Sequence, residues 1–277
     1  MVGFTPYYKS PDGIFTIFKN DCNKILPFFN NSVDLIFADP PYFLSNGGNT
    51  IRNGQIVSVN KGDWDEIPEY NELYNYNLSW IKNCRNALKP DGTIWISGTV
   101  HNIFSILQAL KDTEYKILNV ITWQKTNPPP NFYKKIFLQS TEYIVFARKE
   151  KKITHLFNYN DLFVINNNKR MSDVWTLPAV QRWEKRNGEH PTQKPLNLLS
   201  RIILSATKEG DTILDPFSGS STTGIAANLF NRKYFGIELS EDYLKYSIKR
   251  KQEISNPEKF KEMLSRIKDY QSINRKI

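Results

Sequence analysis

The sequence predicts an α/β fold, a doubly wound and mostly parallel sheet. Two observations carry that expectation. Short apolar runs bounded by turn residues, SVDLIFA ending at Ala38, TIWISG at 93–98, TILD at 212–215 and KYFGIEL at 233–239, read as buried strands. Between them lie stretches whose apolar residues recur at three- and four-residue steps, and such alternation implies crossovers joining parallel strands.

Taken in order, YNLSWIKNCRNALKPDG places Leu78, Ile81, Ala87 and Leu88 at roughly helical intervals and ends in Pro-Asp-Gly, a helix stop followed by a turn. With the strands on either side it makes a β-α-β unit. A helix over about 101–111 leads to KILNVITW, and after a proline-rich loop STEYIVFAR alternates as a strand. Residues 148–186 are basic, rich in Asn and aromatics and without sustained period, and read as a small irregular insertion. Regularity returns with PLNLLSRIILSATKEGD, whose Leu196, Leu199, Ile202, Ile203 and Ala206 define a helix that Gly210 is expected to end. The strand TILD, a glycine-bearing turn, a helix over 222–230, the strand KYFGIEL and a last helix from about 241 complete the pattern. No internal repeat is visible.

A chain of 277 residues can bury one large core, and we read it as one domain. Its parts are a first half over 20–147, the insertion at 148–186, a second half over 187–255 and a basic C-terminal tail at 256–277. Lys and Arg outnumber Asp and Glu by 37 to 28, which predicts attraction to a polyanion without identifying it. Two cysteines, Cys22 and Cys84, give neither a disulfide framework nor a four-ligand zinc cluster, and no metal is expected. The N-terminus lacks a signal-peptide pattern and no apolar run is long enough to span a membrane, so a cytoplasmic location is expected.

Two stretches carry chemistry. In FADPPYFLSNGG, Pro40 and Pro41 stop the strand that enters them, so Asp39 and Tyr42 stand at its carboxyl end, the edge where open α/β sheets bind ligands. In ILDPFSGSSTTGIAA, a strand ends in Asp215, a turn of small residues through Gly219, Ser220 and Ser221 follows, and a helix begins near Thr222. That geometry brings backbone amides against a ligand, and Glu238, 23 residues beyond Asp215, ends the next strand where an acid can accept from ribose hydroxyls. Ser221 stands where a dinucleotide-binding loop wants a glycine, and Phe217 sits where a pyrophosphate would want bare backbone. An aromatic there can instead stack on adenine or lie near a sulfonium, and S-adenosylmethionine offers both. HPTQKP at 190–195 just precedes a helix, where Thr192 and Lys194 could hold the methionine carboxylate. His190, His101 and His155 read as ordinary surface or core histidines.

Asp39–Tyr42 suits methylation of an exocyclic base amine, whose lone pair is delocalised into the ring. Two acceptors on its protons, the Asp39 carboxylate and the Pro40 carbonyl, favour a pyramidal nitrogen, and Tyr42 offers a stacking face. A duplex base must be extruded to reach such a site, so single-stranded DNA is also a plausible substrate. Aromatic and basic residues in predicted loops, Lys61, Trp64, Phe132, Tyr133, Lys134 and Lys135, the amide Asn131 among them, and Arg170 and Arg182 in the insertion are the candidate DNA contacts. The polar, glycine-bearing stretch 46–62 looks like a flap over the site.

The chain resembles the amino-group DNA methyltransferases of the β arrangement, in which the catalytic half precedes the cofactor half. The resemblance rests on DPPY at 39–42, HPTQKP at 190–195 and DPFSGSSTTG at 215–224. NDCNKIL near Asp21, LKPDGTIWISG, TWQKTNPPPN and STEYIVFAR add to it. It implies a Rossmann-like sheet of the S-adenosylmethionine-dependent type, N6-adenine methylation of DNA, and target recognition by 148–186. By motif match Asp39, Pro40, Pro41 and Tyr42 are catalytic, Asp21 contacts the cofactor adenine, Glu238 its ribose, and Phe217 with Gly219 the surrounding loop. FADPPYFLSNGG with GQIVSVNKGDWD looks like the second, single-strand-accepting adenine methyltransferase of GATC restriction-modification systems. That implies double- or single-stranded DNA and an endonuclease as functional partners, and it is compatible with a homodimer. Asn20 and Ser221 depart from the family's usual glycines. No extra C-terminal domain is expected. The rivals are cytosine-N4 methylation, in whose enzymes a serine commonly replaces Asp39, and a catalytically silent DNA-binding subunit.

Overall fold

The computed structural model describes residues 4–41, 49–52, 55–58, 69–128, 130, 135–186 and 192–267. Strands β1 (Tyr8–Lys9) and β2 (Phe15–Lys19) form an antiparallel pair turned by Gly13 at φ +73°. Helix α1 (Cys22–Ile25) runs into a 3-10 turn (Leu26–Phe29), and β3 (Val33–Ala38) then enters the sheet. Among the described residues, strands β4 (Asn49–Arg52) and β5 (Gln55–Ser58) pair with each other alone, inside the stretch read as a flap. Helix α2 (Tyr70–Ala87), strand β6 (Leu88–Gly98) and helix α3 (Ile103–Asp112) follow. The Lys89–Gly92 turn is absorbed into β6 as an irregularity of its register with β3, where Val33 faces Leu88 but Leu35 faces Thr93.

Strands β7 (Lys116–Lys125) and β8 (Thr141–Arg148) lie where sequence reading put them. The segment 148–186 is more ordered than expected. It contains helix α4 (Tyr159–Ile165), strand β9 (Val174–Leu177) and a 3-10 turn (Arg182–Lys185). Val174–Leu177 alternates exposed and buried residues, and its Trp175 and Leu177 are anchored in the core, so β9 adds an edge strand parallel to β7.

Helix α5 (Leu196–Ala206) ends four residues before Gly210, which at φ +82° turns the chain into β10 (Thr212–Asp215) instead of capping the helix. Helix α6 (Thr222–Leu229), strand β11 (Lys233–Glu238) and helix α7 (Glu241–Ile254) match expectation. The basic tail does not: its first part is helix α8 (Pro257–Arg266), capped by the Asn256 side chain and held by buried Met263, Leu264 and Ile267.

The strands form one nine-stranded sheet in the order β1-β2-β11-β10-β3-β6-β8-β7-β9, with β2, β11, β10, β3 and β6 parallel and β8 reversed between β6 and β7. Central strands bury both faces. Leu35, Phe37, Trp95 and Ile213 join the helices α5, α6, α7 and α8 on one side, while Ile36, Ile94, Ile96 and Leu214 join α1, α2 and α3 on the other. From β3 the chain crosses toward β6, and from β10 it crosses the opposite way to β11. The point where strand order reverses is therefore between β3 and β10, and a crevice opens beyond their carboxyl ends.

Candidate active site

The loops after β3, β10 and β11 enclose a cavity of about 290 Å³ between them. Asp39, Pro40 and Pro41 form one wall, and Phe217 and Gly219 another. Asp21, Thr192 and Glu238 complete the sequence-predicted part of the lining. Two stretches some 175 residues apart in the chain are thus brought to one site, because their strands are neighbours in register, Leu214 beside Ile36. Tyr42 lies outside the described residues, as do Lys61, Trp64, Asn131, Phe132, Tyr133, Lys134 and His190. Arg170 and Arg182 are exposed.

The glycine-bearing turn shows how a short chain segment becomes a rigid wall. Gly219 and Ser221 are both left-handed, at φ +47° and +54°, so Ser221 adopts the conformation for which a glycine is usual. Arg250 on α7, itself buried, donates to the Ser220 carbonyl at 2.7 Å and to Thr222 Oγ1 at 2.8 Å, pinning the turn from behind. Gly224 lets α6 lie against the sheet: a Cβ there would come within 2.5 Å of the Tyr234 ring.

Glu238 accepts the Gly219 amide at 2.8 Å and the Ser240 amide at 2.8 Å, which aims its carboxylate at the cavity. Burial raises its pKa, against the pull of those amides. Asp21 caps α1 by accepting the Asn23 amide at 2.7 Å. Cys22, next to it on the wall, has its thiol pushed up to about 12 by burial, so it is inert packing and no nucleophile.

Four expected cofactor contacts need correction. Asp215 does not line the cavity. It is 2% exposed, accepts Thr223 Oγ1 at 2.6 Å and the Phe217 amide at 3.0 Å, and so organises the turn from beneath. Ser220 and Ser221 are likewise buried within the turn and do not line the cavity. Lys194 is 6% exposed and donates to Asp39 Oδ2 at 2.7 Å, which puts it beside the DPPY wall and not on the cavity lining. The start of α5 is not an open positive end either: the Leu196 amide donates to Glu184 Oε2 at 2.7 Å.

Tyr76 on α2, Tyr243 and Ser240 at the start of α7, and Leu239 were missed by sequence reading. Aromatic residues on amphipathic helices look like core, and only the fold shows that Tyr76 and Trp80 approach the Phe217 ring, at 6.5 and 5.2 Å between centroids. The cavity suits S-adenosylmethionine by its walls and its acceptors. It has aromatic and apolar walls for a purine and two carboxylates, Asp21 and Glu238, for amine and hydroxyl protons. Among the described residues no group of three or more His, Cys, Asp or Glu could hold a metal ion, and no helix is long and apolar enough to cross a membrane.

Comparison with known proteins agrees with this geometry. A family model described as DNA methylase, of the N6/N4 methyltransferase kind, matches residues 33–249. The Type II methyltransferase M2.MboI of Moraxella bovis is 54% identical over 251 residues, covering 90% of this chain and 92% of that protein. M2.DpnII of Streptococcus pneumoniae is 51% identical, covering 88% and 91%. The crystal structure of the M1.HpyAVI–SAM complex superposes with a TM-score of 0.64 at 28% identity, over 85% of this chain and 98% of the other. The cytosine-N4-specific PvuII DNA methyltransferase shares the fold, with a TM-score of 0.72 at 18% identity, over 90% and 89%. With the DPPY wall, the glycine-bearing turn and the acid of β11 around one cavity, this chain belongs to the N6/N4 DNA methylase family.

Proposed function

We propose that this S-adenosylmethionine-dependent DNA methyltransferase methylates N6 of adenine, in a flipped-out or single-stranded base, as part of a restriction-modification system reading GATC. The observation that carries the reading is the placement of Asp39, Pro40 and Pro41 on the same cavity as Phe217, Asp21 and Glu238. Aspartate in place of serine at position 39 favours adenine over cytosine. The identity of 54% to a Type II methyltransferase supports the restriction-modification setting, and FADPPYFLSNGG supports the GATC site.

When bound, S-adenosylmethionine supplies an electrophilic methyl group. Glu238 and Asp21 would hold the nucleoside end of the cofactor and Phe217 would pack on it. The Asp39 carboxylate and the Pro40 carbonyl accept the two amine protons, so that the nitrogen lone pair is directed along the line of transfer. Tyr42 stacks on the target base. As the N–C bond forms the sulfonium S–C bond breaks, S-adenosylhomocysteine is the leaving group, and the positive charge passes to the amine, where the Asp39 carboxylate would stabilise it until one proton leaves to solvent. Asp215, Ser220, Ser221 and Arg250 act through the turn and not on the ligand. DNA contacts fall to Lys61, Trp64, Asn131, Phe132 and Lys134, and to Arg170 and Arg182 of the recognition segment 148–186.

Transfer of labelled methyl from S-adenosylmethionine to DNA by the purified chain tests this. Asp39→Ala is expected to abolish transfer while S-adenosylhomocysteine binding is retained, and near-wild-type turnover would overturn the role of Asp39. DNA binding without transfer by the unaltered protein would favour a silent subunit.

A further inference from the structure

The stretches TWQKTNPPPN and STEYIVFAR carry two charged residues, Lys125 and Glu142, to which the chemistry above gives no task. The fold brings both to the active-site edge. Lys125 ends β7, and Glu142 begins the reversed strand β8, so each lies at the same end of the sheet as Asp39 after β3. Lys194 reaches the same point from the segment preceding α5. Its Nζ lies 2.7 Å from Asp39 Oδ2 and 3.6 Å from Glu142 Oε2, and Lys125 Nζ lies 2.5 Å from Glu142 Oε1. The side chains of Lys194, Glu142, Asp39 and Lys125 are only 6, 13, 15 and 16% exposed.

We infer that Lys194, paired with Glu142, which Lys125 holds in turn, is a positioning residue for methyl transfer: it fixes the orientation of the Asp39 carboxylate at the cavity wall. This rests on the reading of Asp39 as an acceptor for the target amine. An aspartate at the end of a strand can swing about its side-chain torsions, yet an acceptor that shapes a transition state must be held within about 0.5 Å. A charge-assisted bond shielded from water supplies that restraint. Among the described residues two lysines face two carboxylates in this cluster, and such mutual pairing makes four charges tolerable at low exposure. Burial alone would lower the Lys194 pKa, but the Asp39 and Glu142 carboxylates outweigh it and hold it above the ordinary lysine value. Lys194 thus stays charged. With its Nζ flanked by two carboxylates, a role at the cofactor carboxylate is disfavoured.

The test compares Lys194→Met, Lys194→Arg and Glu142→Gln with the unaltered full chain at saturating cofactor. Lys194→Met should lower kcat by about 10- to 100-fold, the cost of a small misplacement of a reacting group. Its Kd for S-adenosylhomocysteine and for a target-bearing oligonucleotide should change by no more than about twofold, since only transition-state geometry is lost. Lys194→Arg should recover part of kcat, and Glu142→Gln should lower kcat in the same direction but less. An unchanged kcat in Lys194→Met, while Asp39→Ala is inactive, overturns the inference. So does a weakened S-adenosylhomocysteine Kd with kcat intact, which would return Lys194 to the cofactor site. Should Lys194→Met fail to fold by circular dichroism, Glu142→Gln decides: lowered kcat supports the cluster and unchanged kcat refutes it. Full activity of Asp39→Ala would instead refute the underlying reading of Asp39.

Discussion

At Asp215 the carboxyl is 2% exposed, bonded to Thr223 and to the Phe217 amide, and raised by burial to a pKa of about 7, with the charges of Asp39 and Glu238 adding to the rise. In the unfolded chain the same group titrates near the ordinary aspartate value of about 3.9. The native state therefore holds a proton that the unfolded state has lost between those two values. Stability must fall as pH rises through about 4 to 7, on the order of a few kcal/mol for this group at most. Asp215→Asn should remove that contribution, so a melting-temperature profile over this range should be flatter for the variant than for the parent. Parallel profiles would contradict it. None of this was legible in the sequence, where Asp215 and Asp39 are both acids ending apolar runs. A one-dimensional pattern shows that a residue ends a strand, but not whether its side chain turns into the cavity or under the neighbouring turn. Lys194 shows the same limit: its motif was legible, its partner 155 residues away was not.

At the scale of elements, the alternating strands and helices were readable because central parallel strands are continuous apolar runs and the helices that cover them keep a clear period. What escaped were elements whose pattern is short or whose context looks disordered. Phe15–Lys19 is a five-residue strand with two polar or charged positions, Val174–Leu177 sits inside a basic Asn-rich stretch, and Pro257–Arg266 lies in what composition marks as a charged tail. Each is secured by a few side chains reaching a core formed elsewhere, as Trp175 and Leu177 do for β9. The glycine-bearing turn joining β10 to α6 was legible at the sheet edge, but the reason for Gly224, inside α6, lies in packing. A Cβ there would stand 2.5 Å from Tyr234 and 2.7 Å from Phe15, both buried rings with nowhere to move. Gly224→Ala should cost about 1–3 kcal/mol by overpacking and lower the melting temperature by several degrees. An unchanged melting temperature would mean that α6 can lift from the sheet without loss.

At the scale of the whole molecule, the reversal of strand order between β3 and β10 converts two distant stretches into one site. Asp39, Pro40 and Pro41 come to it from the first half of the chain, with Asp21, and Phe217, Gly219 and Glu238 from the second. The basic excess, 37 Lys and Arg against 28 Asp and Glu, suits a polyanionic substrate, though charge alone names neither the base nor the sequence read. Composition, motif order and the predicted sheet edge made the fold and about half of the cavity lining readable in advance. The buried charge cluster behind Asp39 and the aromatic contribution of α2 and α7 became visible only once the helices were packed. The most direct measurement is nucleoside analysis and mapping of modified positions in DNA from a methylation-free host expressing this chain. The expected product is N6-methyladenine at the adenine of GATC. N4-methylcytosine without N6-methyladenine would contradict it.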